Sequence, residues 1–225
     1  MVVRNAAALA DPPQYTPKEV RFLAPREIAV LLDAVKGDRL ETLFLAAIAL
    51  GMRQGELLGS RWSDVDLDAA RWNVRRQLQR RAGSVTYAEP KTARGRRTLD
   101  VPASLVTSLR SHRARQLEER LVAGEEWVDT GLVFATPLGG PLHGTTVTKR
   151  LQHIARATEI GDLRFHDLRH TCATLLLAQQ VPARVVMELL GHSQIGLTLN
   201  LYSHVIPALR KEAADRMEAA LSLVR

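Results

Sequence analysis

The chain has 225 residues, of which 46% are hydrophobic, and carries a formal net charge of +7 at pH 7. This implies a packed globule in place of a disordered chain and allows one substantial core, while an aromatic share of only 4% leaves that core to Ala, Leu and Val and favours helices over a β-sandwich. The positive excess biases partners towards polyanions; the single cysteine, Cys172, excludes an intrachain disulfide; no apolar run reaches membrane-spanning length, so the cytoplasm is the default compartment.

Residues 1 to 24 read as a tether, broken by Asp11-Pro12-Pro13 and Thr16-Pro17. Pro25-Arg26-Glu27 then opens a helix with its apolar stripe on Ile28, Leu31, Leu32 and Val35, stopped by Gly37. Residues 39 to 50 are almost continuously apolar after Glu41 and predict a buried helix ending at Gly51, followed by a short helical piece from Gly55 to Gly59. Trp62 to Ala70 is turn-rich. Its Asp64, Asp66 and Asp68 suggest a calcium loop, but the central glycine and closing glutamate of such a loop are missing.

Three extended runs follow, Arg71 to Gln79, Ser84 to Ala88 and Arg97 to Val101, with turns at Ala82-Gly83 and Thr92 to Gly95. They predict one small antiparallel sheet. Positive charge gathers here: Arg71, Arg75, Arg76, Arg80 and Arg81, then Lys91, Arg94, Arg96 and Arg97, in local blocks that suit a phosphate-facing surface. Further helices are expected over Pro102 to Arg120, Thr145 to Ala157 with Thr145 as N-cap, His166 to Gln179 and Pro182 to Leu190. Two more are expected around Ile195 to Ser203 and from Pro207 to Leu223, the last with a stripe of Leu209, Ala213, Met217, Ala220 and Leu221. Leu132-Val133-Phe134 is a short buried run. The fold class is therefore mainly α with a small antiparallel β-sheet (α+β).

Six side chains have a chemistry in common. Cleaving a phosphodiester builds negative charge on an already anionic centre, and guanidinium groups can supply the compensating charge in place of metal ions. Arg53 lies between Gly51 and Gly55, with Glu56 placed to pair with it and hold its rotamer. His166 and Arg169 are three apart on an expected helix and project from nearly the same face. His192 follows Gly191 at a helix end, Tyr202 lies ten residues on, and Lys91 sits in a hairpin turn. Read singly, each has an ordinary structural explanation: a surface charge, a capping histidine, a packing phenol. His166 and His170 also have a metal-ligand spacing, but the glutamate of a zinc-hydrolase helix is missing.

Taken in order, the motifs point one way. Gly51-Met52-Arg53-Gln54-Gly55-Glu56-Leu57, Pro90-Lys91-Thr92 leading to Arg96-Arg97, His166-Asp167-Leu168-Arg169-His170-Thr171, Leu190-Gly191-His192-Ser193 and Leu201-Tyr202-Ser203-His204 resemble the tyrosine recombinases, the phage integrase family. The resemblance runs from about residue 22 to the C-terminus. It implies a tyrosine recombinase catalytic domain over 22–225 behind a linker of residues 1–21, with the family's N-terminal core-binding domain absent. One departure is that the small hydroxyl residue common in the family near Gly95 is missing.

The resemblance implies a site-specific DNA recombinase that cuts and rejoins strands without a metal or other cofactor. Tyr202 would attack the phosphate and form a 3′-phosphotyrosyl link. Arg53 and Arg169 would clamp the non-bridging oxygens, Lys91 would protonate the leaving 5′ oxygen, His166 would help take the phenol proton, and His192 would hydrogen-bond the phosphate. The implied partner is double-stranded DNA, with self-association on it (a tetramer in the family), a monomer when free, and no membrane. The other reading is a DNA-binding or interaction module of the same fold without efficient turnover.

Overall fold

In the computed structural model, residues 21–81, 83–89, 95–191, 217–218 and 221–222 are described. Pro25 opens α1 (Pro25–Ala34), and the Glu27 carboxylate accepts the Ala24 N–H at 2.8 Å, satisfying a donor that the first turn leaves free. The expected stripe holds at Leu31 and Val35, both fully buried. Next, α2 (Glu41–Leu50) buries Leu43, Phe44, Ala46, Ala47, Ile48 and Leu50, so apolar residues all round match a helix enclosed by others. It packs against α4 (Ala103–Ala123) and α6 (Phe165–Ala178). Each large side chain removed from water here stabilises the fold by roughly 1.5–3 kcal/mol.

Gly51 ends α2 in the left-handed conformation, φ 58°. A Cβ there would stand 2.3 Å from Leu190 Cδ2 and 3.1 Å from Cys172 Sγ, so both backbone and space demand glycine. The chain then enters α3 (Gln54–Gly59). Gly59 admits the following strand closely: a Cβ would meet the Leu78 nitrogen at 2.7 Å.

The extended region differs from expectation. The run Arg71 to Gln79 is not one strand, and the sheet is not one sheet. Strands β1 (Val65–Asp66), β2 (Arg71–Val74) and β5 (Arg97–Asp100) form an antiparallel sheet in the order β1-β2-β5, whereas β3 (Gln77–Arg81) and β4 (Ser84–Ala88) form a separate hairpin. The break falls at Arg75-Arg76. Buried Asp64 binds Arg76 there, and the glycine face of α3 draws Leu78 onto the helix instead of along the first sheet. In β2, Trp72 and Val74 point inward while Arg71 faces solvent, with Trp72 registered against Leu99.

Two helix limits also move. The expected N-cap Thr145 lies inside α5 (Gly144–Arg156), whose N-cap is His143. The start is set from outside: Gln54 Nε2 donates to the Gly144 carbonyl and to Thr148 Oγ1, both at 3.0 Å, and a Cβ on Gly144 would sit 2.9 Å from Gln54 Oε1. Helix α4 continues three residues beyond Arg120 before Gly124 ends it. Leu132, Val133 and Phe134 are buried as expected, beside an isolated bridge from Leu132 to Arg61. The last full helix described is α7 (Ala183–Leu190). The expected helix around Ile195 to Ser203 lies outside the described residues. Of that from Pro207 to Leu223, only Met217, Glu218, Leu221 and Ser222 are described, all helical and exposed.

Candidate active site

Three arginines from distant parts of the chain meet at the C-terminus of α7. Arg97 Nε donates to the Leu189 carbonyl at 2.6 Å, an Arg169 nitrogen (Nη2) to Leu190 at 2.6 Å, and an Arg53 nitrogen (Nη2) to Gly191 at 3.0 Å. These three consecutive carbonyls are helix-end acceptors without intrahelical donors, and the negative end of the helix dipole favours cations beside them. Gly191 closes the helix with φ 66°.

The arginines differ in what they have left to offer. Arg97 is spent within the protein: its Nη1 and Nη2 reach the two Glu56 oxygens at 3.2 and 3.0 Å, and its side chain is 8% exposed. Arg53 shares that carboxylate, Nη1 to Oε1 at 2.8 Å and its backbone N–H to Oε2 at 2.9 Å, as the sequence anticipated, yet its side chain remains 40% exposed. Arg169 is 2% exposed, its second contact being Nη1 to the Gly51 carbonyl at 2.6 Å. Among the described residues it forms no ion pair.

Burial pushes the Glu56 carboxyl up, but the hydrogen bond and charge of Arg97, and then Arg53, outweigh it and hold the pKa below the ordinary carboxylate value. Burial, followed by the charge of Arg53, lowers the Arg169 pKa to about 9, which leaves the guanidinium charged at neutral pH. Three guanidiniums therefore cluster near one buried carboxylate, which pairs with Arg53 and Arg97 while Arg169 binds only carbonyls. The balance is positive, in a partly desolvated setting where an anion is held more strongly than in water.

His166 lies in the first turn of α6, whose Asp167 carboxylate accepts the Arg164 N–H at 2.8 Å. His166 is exposed overall. The desolvation its ring does suffer, followed by the charge of Arg169, lowers its pKa. The His170 ring meets it edge-on with centroids 4.6 Å apart, and burial, then His166, lowers the His170 pKa to about 4. Both rings therefore favour the neutral form, and a neutral imidazole can accept a proton. No group of three or more metal-ligating side chains occurs among the described residues.

Of the six site residues expected from sequence, Arg53, His166 and Arg169 are described. The two arginines converge on adjacent carbonyls, and His166 feels the charge of both. Lys91, His192 and Tyr202 lie outside the described residues. Arg97 stood in the motif after Lys91 and in a basic block suited to phosphate, but its inward place in the cluster was missed, because its partners Glu56 and Leu189 are 41 and 92 positions away. A cleft of about 550 Å³ is lined by Gln54, Leu78, Arg80, Thr148, Lys149 and Gln152 among others. A larger groove of about 750 Å³ between Trp62–Asp68 and α4 shares no residue with the arginine cluster.

Residues 21–208 match the phage integrase family. A "tyrosine recombinase XerC-like" protein of Caldanaerobacter subterraneus subsp. tengcongensis is 38% identical over 211 residues, which cover 88% of this chain and 54% of that protein. An integrase of Saccharopolyspora erythraea is 27% identical, over 96% of this chain and 61% of its own length. Among solved structures, XerA recombinase superposes with a TM-score of 0.70 at 23% identity, covering 92% of this chain and 67% of that one. The Tn1549 transposon integrase, solved with circular intermediate DNA, gives 0.73 at 21% identity over 96% and 72%. The chain belongs to the phage integrase family, and its fold is that of the tyrosine recombinases. It spans somewhat more than half the length of these two curated relatives.

Proposed function

We propose that this chain carries the catalytic centre of a site-specific DNA recombinase, which cleaves and rejoins DNA strands through a 3′-phosphotyrosyl intermediate. The observation that carries the reading is the meeting of Arg53 and Arg169 on neighbouring carbonyls, beside a buried carboxylate that is paired with Arg53 and Arg97 and leaves Arg169 without an ion pair among the described residues. Such a cluster has positive charge to spare for an anionic oxygen. Arginine forks match two phosphate oxygens and stay charged at working pH.

The Tyr202 phenol attacks phosphorus and its oxygen forms the new P–O bond; the 5′ oxygen of the broken strand leaves. A phenol with a pKa of about 10 needs a base or a positive field to attack near neutrality. His166, biased towards its neutral form, takes that proton, and Lys91 protonates the departing 5′ oxygen. Arg53 and Arg169 bind the non-bridging oxygens most strongly as charge builds on them, and His192 adds a hydrogen bond. The covalent ester conserves the bond energy, so a second 5′-hydroxyl can rejoin the strand without a nucleotide cofactor. The partner is double-stranded DNA in the cytoplasm. The free chain is monomeric, and copies assemble on DNA as a tetramer, the state its resemblance to the family implies.

The test uses a pool of nicked duplexes with randomised sequence flanking the nick, which traps a cleaved intermediate by losing a short fragment. Incubation with the 225-residue chain, then a denaturing gel, should reveal a covalent protein–DNA adduct that is lost in Tyr202→Phe. DNA binding with no adduct from any pool member would instead mark a binding module of the same fold.

A further inference from the structure

We infer that Arg97, which the proposed chemistry does not use directly, is the positioning residue that sets the orientation of Arg53 through their shared Glu56 carboxylate. The inference rests on the catalytic reading above. One guanidinium joins three parts of the molecule: the Gly95 carbonyl before its own strand at 3.3 Å, both Glu56 oxygens on α3, and the Leu189 carbonyl at the end of α7. Glu56 in turn holds Arg53 twice, by side chain and by backbone N–H.

The alternative reading, in which Arg97 itself grips phosphate, conflicts with its position. Its side chain is nearly buried, and all three of its nitrogens already donate within the protein. Arg53 is the exposed member of the pair. Glu56 alone could hold Arg53 in more than one way, because a carboxylate has several lone pairs to offer. With Arg97 occupying one lone pair on each oxygen and α7 fixing Arg97, a single arrangement remains for Arg53. Lysine cannot replace this, having a compact charge and no planar fork.

The experiment measures the single-turnover rate of adduct formation on one nicked duplex recovered from the pool, alongside its affinity by fluorescence anisotropy and the melting temperature of each variant. Arg97→Lys should lower the rate by about 100-fold, the loss expected when a reacting group is misplaced by an ångström. The affinity should stay within about threefold, since uniform binding is not what positioning supplies. A merely structural residue would not pass the next test. In an Arg53→Lys background, Arg97→Lys should cost little more, because its effect runs through the fork already removed.

Rates that multiply across the two substitutions, or an Arg97→Lys protein that reacts at the wild-type rate, overturn the inference. Should Arg97→Lys fail to fold, the double variant Glu56→Gln with Arg97→Gln, which removes the buried charges together, replaces it. Wild-type speed in that folded variant is equally decisive against the role. Absence of an adduct with the wild-type chain overturns the catalytic reading itself, and this inference with it.

Discussion

Arg169 donates to the carbonyl of Gly51 across 118 positions of sequence, at 2.6 Å. Gly51 is the left-handed residue that turns the chain from α2 towards Arg53. The same guanidinium holds Leu190, so one side chain fixes the two segments that bring Arg53 and the end of α7 together. It therefore has a structural role as well as a proposed chemical one, and experiments must separate the two.

Gly51→Ala should be destabilising by about 2–4 kcal/mol. Roughly 1–2 kcal/mol comes from forcing an L-residue into the left-handed region, and the rest from the clash with Leu190 and Cys172. Gly37→Ala is the control: its φ is 77°, yet nothing lies within 4 Å of the new Cβ, so only the backbone contribution remains. Urea titrations of the two variants should differ, Gly51→Ala being the less stable; equal midpoints would remove the clash from the account.

Arg169→Ala should reduce adduct formation by at least about 10²–10³-fold, the effect of deleting one transition-state donor. The affinity for the uncleaved duplex should change by only a few fold. The substitution also leaves two buried carbonyls without this donor, at roughly 1–3 kcal/mol each, so the assay belongs at a temperature where circular dichroism shows the variant folded. A parallel fall in binding and cleavage would show the charge acting equally on both states.

Acid should weaken the fold through Glu56. Its folded pKa lies below the model-compound value of 4.5, so the unfolded state takes up the proton first. The stabilisation is complete above about pH 4.5 and is lost as pH falls through the lower folded value. Glu56→Gln removes this contribution and strands Arg97, costing roughly 3 kcal/mol at pH 7. The gap in unfolding free energy between wild type and Glu56→Gln should narrow from pH 6 to pH 3. A constant gap would mean that Glu56 is not ionised in the fold.

His170 should remain neutral through the physiological range. Its folded pKa of about 4 lies below the ordinary 6.5, so protons favour the unfolded chain as pH drops between those values. Ring resonances followed by NMR should titrate with a midpoint near 4, rising in a His166→Phe variant that removes the neighbouring charge. A midpoint above 6 in the wild type would contradict the burial and edge-on packing seen here.

Much of this was readable from one sequence because it is local. Proline at the start of α1, the acidic residue in its first turn, and apolar patterning along α1 and α2 act over a few residues, so composition and period were enough. The motifs around Arg53 and Arg169 were legible by their residue types, and Glu56 as partner of Arg53 by its spacing of three. What misled was context. Arg71 to Gln79 reads as one strand because nothing in its alternation records that α3 offers a glycine face to Leu78 while Asp64 holds Arg76. Thr145 has the right chemistry for a cap, but Gln54, ninety positions upstream of Gly144, decides where α5 begins.

By itself, then, the sequence determined the helical class, the family motifs and the surplus of positive charge, all properties of neighbouring residues and of their sum. Only the tertiary structure decided that Arg97 turns inward to Glu56 and Leu189 while Arg53 stays open to solvent, although both are arginines in basic surroundings. The physical reason is that burial and pairing depend on which distant carbonyls and carboxylates share a pocket. Those neighbours exist only once α3, β5, α6 and α7 have packed together.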